Sequence, residues 1–335
     1  MPELSIAVMG AGSWGTAISE LLAKSGYDVN LWARREEQCM EINSERTNGR
    51  YLPGVRISRK IKALSSIEDV VSTKKIIFVV VPSQHMRDVL KRALPYIEKD
   101  TIIISAVKGI ENSTLMRPTQ IIQNVLGRHV TVAVLSGPSF AKEVVLGLPT
   151  AVTISARDIS IARQLQHLIN VDTFRLYASD DVIGVELGGC LKNVIALSAG
   201  VCDGVGLGKN ARAAIITRGL AEMIRLGVRA GAKKETFSGL SGIGDLVLTS
   251  TDDQSRNRTV GLRIGRGEKI DDIVRGMTMV AEGVKTSISV RALAKRYNVD
   301  MPVSEEIYRI LNQGKEPKAS IKSLLGRTLK DEHYE

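Results

Sequence analysis

Lys192 lies in "ELGGCLKNVIALSAG", four and three residues after Gly188 and Gly189. At helical spacing those glycines share its face, which would leave room for a ligand against the backbone. A lysine that is buried and set near another cation has its pKa lowered, so it can exchange protons near neutrality. Lys108, in "ISAVKGIE", follows an apolar run that reads as a strand. That puts it at the carboxyl edge of a sheet, where open α/β folds bind ligands. The four histidines, His85, His129, His167 and His333, are scattered without metal-ligand spacing, which leaves lysine as the candidate acid or base.

Three further stretches offer polar groups. In "LSGIGDLVLTSTDDQSRNRTVG", Gly242, Gly244 and Asp245 form a flexible loop with one carboxylate. Asp245 could orient a lysine, or serve as a turn or cap residue. Ser255, Arg256 and Asn257 then follow as consecutive donors ahead of a helix-like stretch, with Asp252 and Asp253 as cap candidates. A hydroxyl, a guanidinium, an amide and a helix start together suit a phosphate; the alternative is a polar loop. In "LSGPSFAKEV", Pro138 fixes the backbone and Gly137 and Ser139 can donate to ligand oxygens.

A glycine loop supplies the context for these groups. "VMGAGSWGTA" carries Gly10, Gly12 and Gly15 between an apolar run and a helix-like stretch over Thr16–Ser25. In a strand–loop–helix, the first glycine permits the tight turn and the second lets a pyrophosphate approach the backbone. The third lets helix and strand pack closely. A second strand, Asp28–Arg34, ends in "WARREE", with Arg34 and Arg35 where an acid would bind the ribose diol of NAD. Guanidinium groups there suit a 2′-phosphate and predict that NADP is accepted, and preferred. A nicotinamide enzyme reducing a carbonyl needs a proton donor beside the hydride acceptor, the task for which Lys192 and Lys108 are candidates.

The elements that must hold these groups follow from patterning. Besides the first two strands, the runs Ile76–Pro82, Thr101–Val107, Val130–Ser136, Thr150–Ala156 and Thr173–Ser179 are short and β-branched. Continuous apolar runs mean strands buried on both faces, so a mostly parallel, doubly wound α/β sheet of Rossmann type. After residue 181 strand-like runs stop, and Val182–Val201 and Ala211–Gly231 have helical periodicity. The expected organisation is therefore a dinucleotide-binding domain over 1–181 and an all-helical substrate and catalytic domain over 182–335.

The 335 residues are 44% hydrophobic and carry a formal charge of +10. Basic residues are dispersed and aromatics scarce, which argues against nucleic acid; a positive field favours small anionic ligands. No apolar run approaches the roughly 20 residues of a membrane span, so no stable membrane insertion is expected. The N-terminal stretch lacks the basic segment of a signal peptide. Cys39, Cys190 and Cys202 stand far apart, which suits a reducing cytoplasm without disulfides or a zinc site.

Taken in order, "GAGSWGTA", "VPS" at 81–83, "SAVKGIE", "LSGPSFAKEV", "ELGGCLKNVIALSAG", "GIGDL" and "SRNRTVG" resemble the bacterial-type NAD(P)-dependent glycerol-3-phosphate dehydrogenases, from about residue 5 to about 325. The resemblance implies a 6-phosphogluconate-dehydrogenase-like fold. It also implies reversible reduction of dihydroxyacetone phosphate to sn-glycerol 3-phosphate for phospholipid synthesis, by a homodimer without metal. It assigns Lys192 as the acid/base group and lines the substrate with Lys108, Gly137, Ser139, Asp245, Ser255, Arg256 and Asn257. It places Ser13, Trp14, Arg34, Lys108, Ala141, Arg256, Val280 and Glu282 on the cofactor, NADP or NAD. The alternatives are another NADP-dependent reductase of the same fold, or a non-catalytic NAD(P)-binding sensor.

Overall fold

Segments of four to seven residues, all before residue 180, form the strands of one sheet in the computed structural model. The structure describes residues 5–127, 130–169, 171–277, 281–329 and 331–332. The strands are β1 (Ile6–Met9), β2 (Val29–Trp32), β3 (Ile61–Leu64), β4 (Ile76–Val79), β5 (Ile102–Ser105), β6 (Thr131–Ser136), β7 (Thr150–Ala156) and β8 (Phe174–Ser179). Their spatial order is β3-β2-β1-β4-β5-β6-β7-β8. Pairing is parallel throughout except between β6 and β7. The first six strands have the order of a dinucleotide-binding Rossmann sheet, in which the strand order switches from one side of β1 to the other between β3 and β4.

Alternate residues of the central strands feed two cores. Phe78 and Ile104 pack on one face of the sheet, and Ile77, Val79 and Ile103 on the other. Covering both faces explains why these strands read as unbroken apolar runs. Because β1, β4, β5 and β6 run parallel, the Gly10 loop, Lys108 and Gly137 all lie along one carboxyl edge.

The chain divides into two compact units. The first comprises 1–108 and 116–182; the second comprises 109–115 and 183–335. Among the described residues the second unit is built of helices and turns. Its axis is the helix Val182–Val205, whose residues from Gly184 to Cys202 are all buried. That helix is long and apolar enough to cross a membrane, but 89% of its most apolar window is buried within the protein. Segment 109–115 is bound into this unit: Ile110 joins the helical core, and the Ile110 carbonyl accepts from Ser289 Oγ at 3.1 Å.

The axial helix meets the helix Arg256–Gly265 almost backbone to backbone. A Cβ built on Gly200 would stand 2.1 Å from the Arg258 carbonyl oxygen, and one on Gly261 2.1 Å from that of Leu197. Any side chain at either position would force the two helices apart, so the glycines set the spacing between the Lys192 helix and the Arg256 helix.

Candidate active site

The glycine loop has the geometry its sequence predicts. Gly10 adopts φ +120°, which only glycine tolerates readily, and its Cβ would stand 2.6 Å from the Val80 carbonyl oxygen. A Cβ on Gly15 would fall 1.7 Å from the Gly10 carbonyl oxygen, so helix and loop touch there. A Cβ on Gly12 would meet no atom within 4 Å. Gly12 is also the N-cap of the helix Ser13–Lys24 and brings no capping side chain. The loop therefore offers an open backbone surface at a helix N-terminus, the environment that suits a pyrophosphate. Beside it, Trp14 Nε1 is a buried donor with no partner among the described residues. These features fit a dinucleotide. Ser13 Oγ donates to the Tyr51 carbonyl at 2.7 Å. Past β2, Arg34 is exposed and Arg35 half-buried.

Farther along the same edge, three of the expected substrate residues converge. Lys108 Nζ and Ser139 Oγ each donate to the Gly137 carbonyl at 2.9 Å. Gly137 has φ +147°, and a Cβ there would come within 2.9 Å of the Val152 Cα. Only a glycine lets β6 turn this tightly against β7 while aiming its carbonyl at the lysine. Ala141 follows as the half-buried first residue of the helix Ala141–Val145.

The second unit holds the other cluster. Lys192 and Asp245 are 5% and 0% exposed and form an ion pair. Lys192 Nζ also donates to Thr249 Oγ1 at 2.7 Å, and Thr249 Oγ1 donates to Asp245 Oδ1 at 3.3 Å. Asp245 and Thr249 are one turn apart on the helix Asp245–Thr251 and so present one face. The lysine is thereby held by a carboxylate and a hydroxyl in a site nearly closed to water, where electrostatic interactions are strong.

At Gly188 the space beside Lys192 holds protein, which corrects the expectation that this position leaves room for a ligand. A Cβ on Gly188 would stand 2.3 Å from the Ser241 carbonyl oxygen. The missing side chain admits the turn Leu240–Gly244, and that close approach brings Asp245 within reach of the lysine.

Two expected phosphate ligands also have structural duties. Ser255, not Asp252 or Asp253, caps the helix Arg256–Gly265: its Oγ accepts from Arg258 N at 3.2 Å. Asn257 Nδ2 donates to Asn193 Oδ1 at 2.9 Å, and its Oδ1 accepts from Gly283 N at 2.9 Å. Both side chains fasten this helix start to its neighbours. Arg256 is the exposed residue of the three. Protein crowding its guanidinium disfavours the charge, the Glu282 carboxylate favours it, and the net pKa shift is downward. Glu282 opens the helix Glu282–Tyr297; Val280 lies outside the described residues.

Thr249 and Asn193 also belong to the site, beyond the residues expected from the sequence. The signal for Thr249 is its i+4 spacing from Asp245; for Asn193 it is adjacency to Lys192. Among the described residues no group of three His, Cys, Asp or Glu could hold a metal.

An α/β unit with the Rossmann strand order and a glycine cradle, joined to an all-helical unit carrying a buried lysine, defines a class of nicotinamide-dependent oxidoreductases. Residues 5–162 match the N-terminal, and residues 181–322 the C-terminal, model of NAD-dependent glycerol-3-phosphate dehydrogenase. Glycerol-3-phosphate dehydrogenase [NAD(P)+] of Syntrophotalea carbinolica is 50% identical over 331 residues, covering 98% of this chain and 99% of the relative. That of Geobacter sulfurreducens is 48% identical over 331 residues, with 98% and 99% covered. The crystal structure of glycerol-3-phosphate dehydrogenase from Coxiella burnetii superposes with a TM-score of 0.93 at 39% identity, covering 97% and 99% of the two chains. A ketopantoate reductase from Ralstonia eutropha, 16% identical with a TM-score of 0.61 over 95% and 99% of the chains, shares the fold. The chain belongs to the NAD-dependent glycerol-3-phosphate dehydrogenase family.

Proposed function

We propose that this protein catalyses the reversible reduction of dihydroxyacetone phosphate to sn-glycerol 3-phosphate with NADPH or NADH, feeding glycerophospholipid synthesis. The observation that carries the reading is the buried Lys192–Asp245–Thr249 cluster, set in a chain about half identical to glycerol-3-phosphate dehydrogenases along its whole length.

Residues 1–181, less the segment 109–115 that packs into the helical unit, act as the dinucleotide-binding domain, and 182–335 as the substrate and catalytic domain. Gly10, Gly12, Gly15, Ser13 and Trp14 hold the pyrophosphate. Arg34, Arg35, Lys108, Ala141, Arg256, Val280 and Glu282 contact the rest of the cofactor. When bound, the nicotinamide supplies the hydride. Lys192 gives its proton to the C2 oxygen as negative charge develops there, and Lys108 supports that charge electrostatically. Asp245 and Thr249 keep the Lys192 ammonium aimed. Lys192 is then reprotonated from solvent, so each turnover consumes one proton in the reducing direction. Gly137 and Ser139 line the substrate. Arg256, with Ser255 and Asn257 fixing the helix start behind it, holds the remote phosphate, whose binding energy orients the reacting carbon. The protein works as a cytoplasmic homodimer.

The experiment is NADPH oxidation with dihydroxyacetone phosphate, set beside ketopantoate and unphosphorylated dihydroxyacetone. Turnover is expected on the phosphorylated ketone. Tight cofactor binding without turnover on any phosphorylated ketone would make the protein a cofactor sensor instead.

A further inference from the structure

We infer that Arg50 is a specificity residue of the cofactor site: a third guanidinium, supplied from outside the β2 terminus, that selects the 2′-phosphate of NADP over the bare hydroxyl of NAD. This rests on the NAD(P) reading above. Three observations carry it.

The first is charge without counter-charge. Arg34, Arg35 and Arg50 form no ion pair with any described residue. Nearby acids are otherwise placed. Glu41 Oε1 accepts from Gly49 N at 2.6 Å and Thr47 Oγ1 at 3.0 Å, and Glu36 and Glu37 are exposed at the start of the helix Glu36–Met40. A group of uncompensated guanidiniums calls for an anion, and a phosphate accepts their forked donors best.

The second is that one ring gathers two of these cations. Arg35 lies over the Tyr51 ring at 6.0 Å from its centroid and Arg50 over it at 5.8 Å. Such contacts are worth about 0.5–1 kcal/mol at exposed sites. That is enough to bias both long side chains toward the Tyr51 ring.

The third is attachment to the glycine loop. Asn48 Nδ2 donates to the Ala11 carbonyl at 3.1 Å and to Thr16 Oγ1 at 2.8 Å. Gln38 Nε2 donates to the same carbonyl at 2.6 Å, and Ser13 Oγ ties down the Tyr51 carbonyl. Residues 48 and 51 are thus fixed to the cradle on either side of Arg50, so the backbone that carries this guanidinium is anchored to the loop that seats the pyrophosphate.

The test is kcat/KM for NADPH and for NADH in the wild type, Arg50→Ala and Arg50→Lys. It is joined by calorimetric titration of adenosine 2′,5′-bisphosphate and of 5′-AMP. One lost charge-assisted contact corresponds to about a tenfold change. Arg50→Ala should therefore lower the NADPH/NADH ratio about tenfold and weaken the bisphosphate about tenfold relative to 5′-AMP. Arg50→Lys, which keeps the charge without the fork, should fall between. An unchanged ratio, or an equal loss with both cofactors and both nucleotides, would overturn the assignment. If the wild type turned over neither cofactor, the dehydrogenase reading would fail, and the paired titrations would still decide the role of Arg50.

Discussion

Lys192 and Asp245, on two helices of the same unit, face each other with almost no exposed surface between them. Removing one member of such a pair leaves an uncompensated buried charge, at a cost of about 3–5 kcal/mol. Replacing both with apolar residues of similar size is often neutral.

Stability and chemistry can therefore be separated at this pair. Lys192→Ala should cut kcat by roughly 10²–10⁴-fold, leave NADPH affinity near normal, and lower the unfolding free energy. The double variant Lys192→Met with Asp245→Leu should recover most of the stability in urea titrations and none of the activity. Restored turnover in the double variant would move the proton transfer to another group.

The three loop glycines should fail in different ways. Gly15→Ala drives a Cβ into the Gly10 carbonyl and should leave little folded protein. Gly12→Ala meets nothing in the protein, so its Tm should stay within a few degrees of wild type. Its dissociation constant for NADPH should rise about tenfold or more, because the methyl occupies the side a pyrophosphate would approach. Normal cofactor affinity in Gly12→Ala would show that the open side of the loop is not used.

Of the three expected phosphate ligands, Ser255 and Asn257 hold the helix start, and Arg256 is the one with an exposed surface, its charge favoured by Glu282. Arg256→Ala should thus depress kcat/KM for dihydroxyacetone phosphate far more than for dihydroxyacetone. Asn257→Ala should also lower thermal stability, since it unties Asn193 from Gly283. Equal losses on the two substrates with Arg256→Ala would rule out a phosphate contact.

Glu222 gives the helical unit a pH dependence. Its buried carboxylate accepts from Val303 N at 2.5 Å and from Ser304 N and Oγ at 3.1 and 2.7 Å, across the start of the helix Pro302–Gln313. Burial outweighs these donors and pushes its pKa from 4.5 up to about 7. Between those values the folded protein binds more protons than the unfolded chain, so this contribution is full below pH 4.5 and is lost as pH rises through 7. At about 1.4 kcal/mol per unit, the loss is about 3 kcal/mol. Burial raises Glu20 in the same direction, so the comparison must be between wild type and Glu222→Gln. Urea unfolding from pH 4.5 to 7.5 should show a shallower decline in the variant; identical slopes would mean that Glu222 does not titrate there.

The fold was legible where burial is uniform. Strands covered on both faces announce themselves as apolar runs, and β1, β2 and β4 to β8 lie within the stretches expected. β3 was not legible, because it is a four-residue edge strand in which Lys62 points to solvent. Its backbone is secured instead by Asn43, which bonds both the N–H and the carbonyl of Ala63. At the site, residue types and local spacing marked Lys192, Asp245 and Arg256 one by one. Their relations were not readable, because they depend on packing between distant segments. The Gly188 face looked like ligand space and is filled by the Ser241 carbonyl. Ser255 and Asn257 looked like ligand donors, and their partners, Arg258, Asn193 and Gly283, appear only in three dimensions.

Segment 109–115 has a consequence for how such a protein can be inherited. The helical unit borrows Ile110 from the middle of the sequence that encodes the sheet unit. A gene fragment starting at codon 183 would therefore encode helices with an unfilled notch in their interior. An intact helical core therefore needs codons from both sides of the boundary at 183.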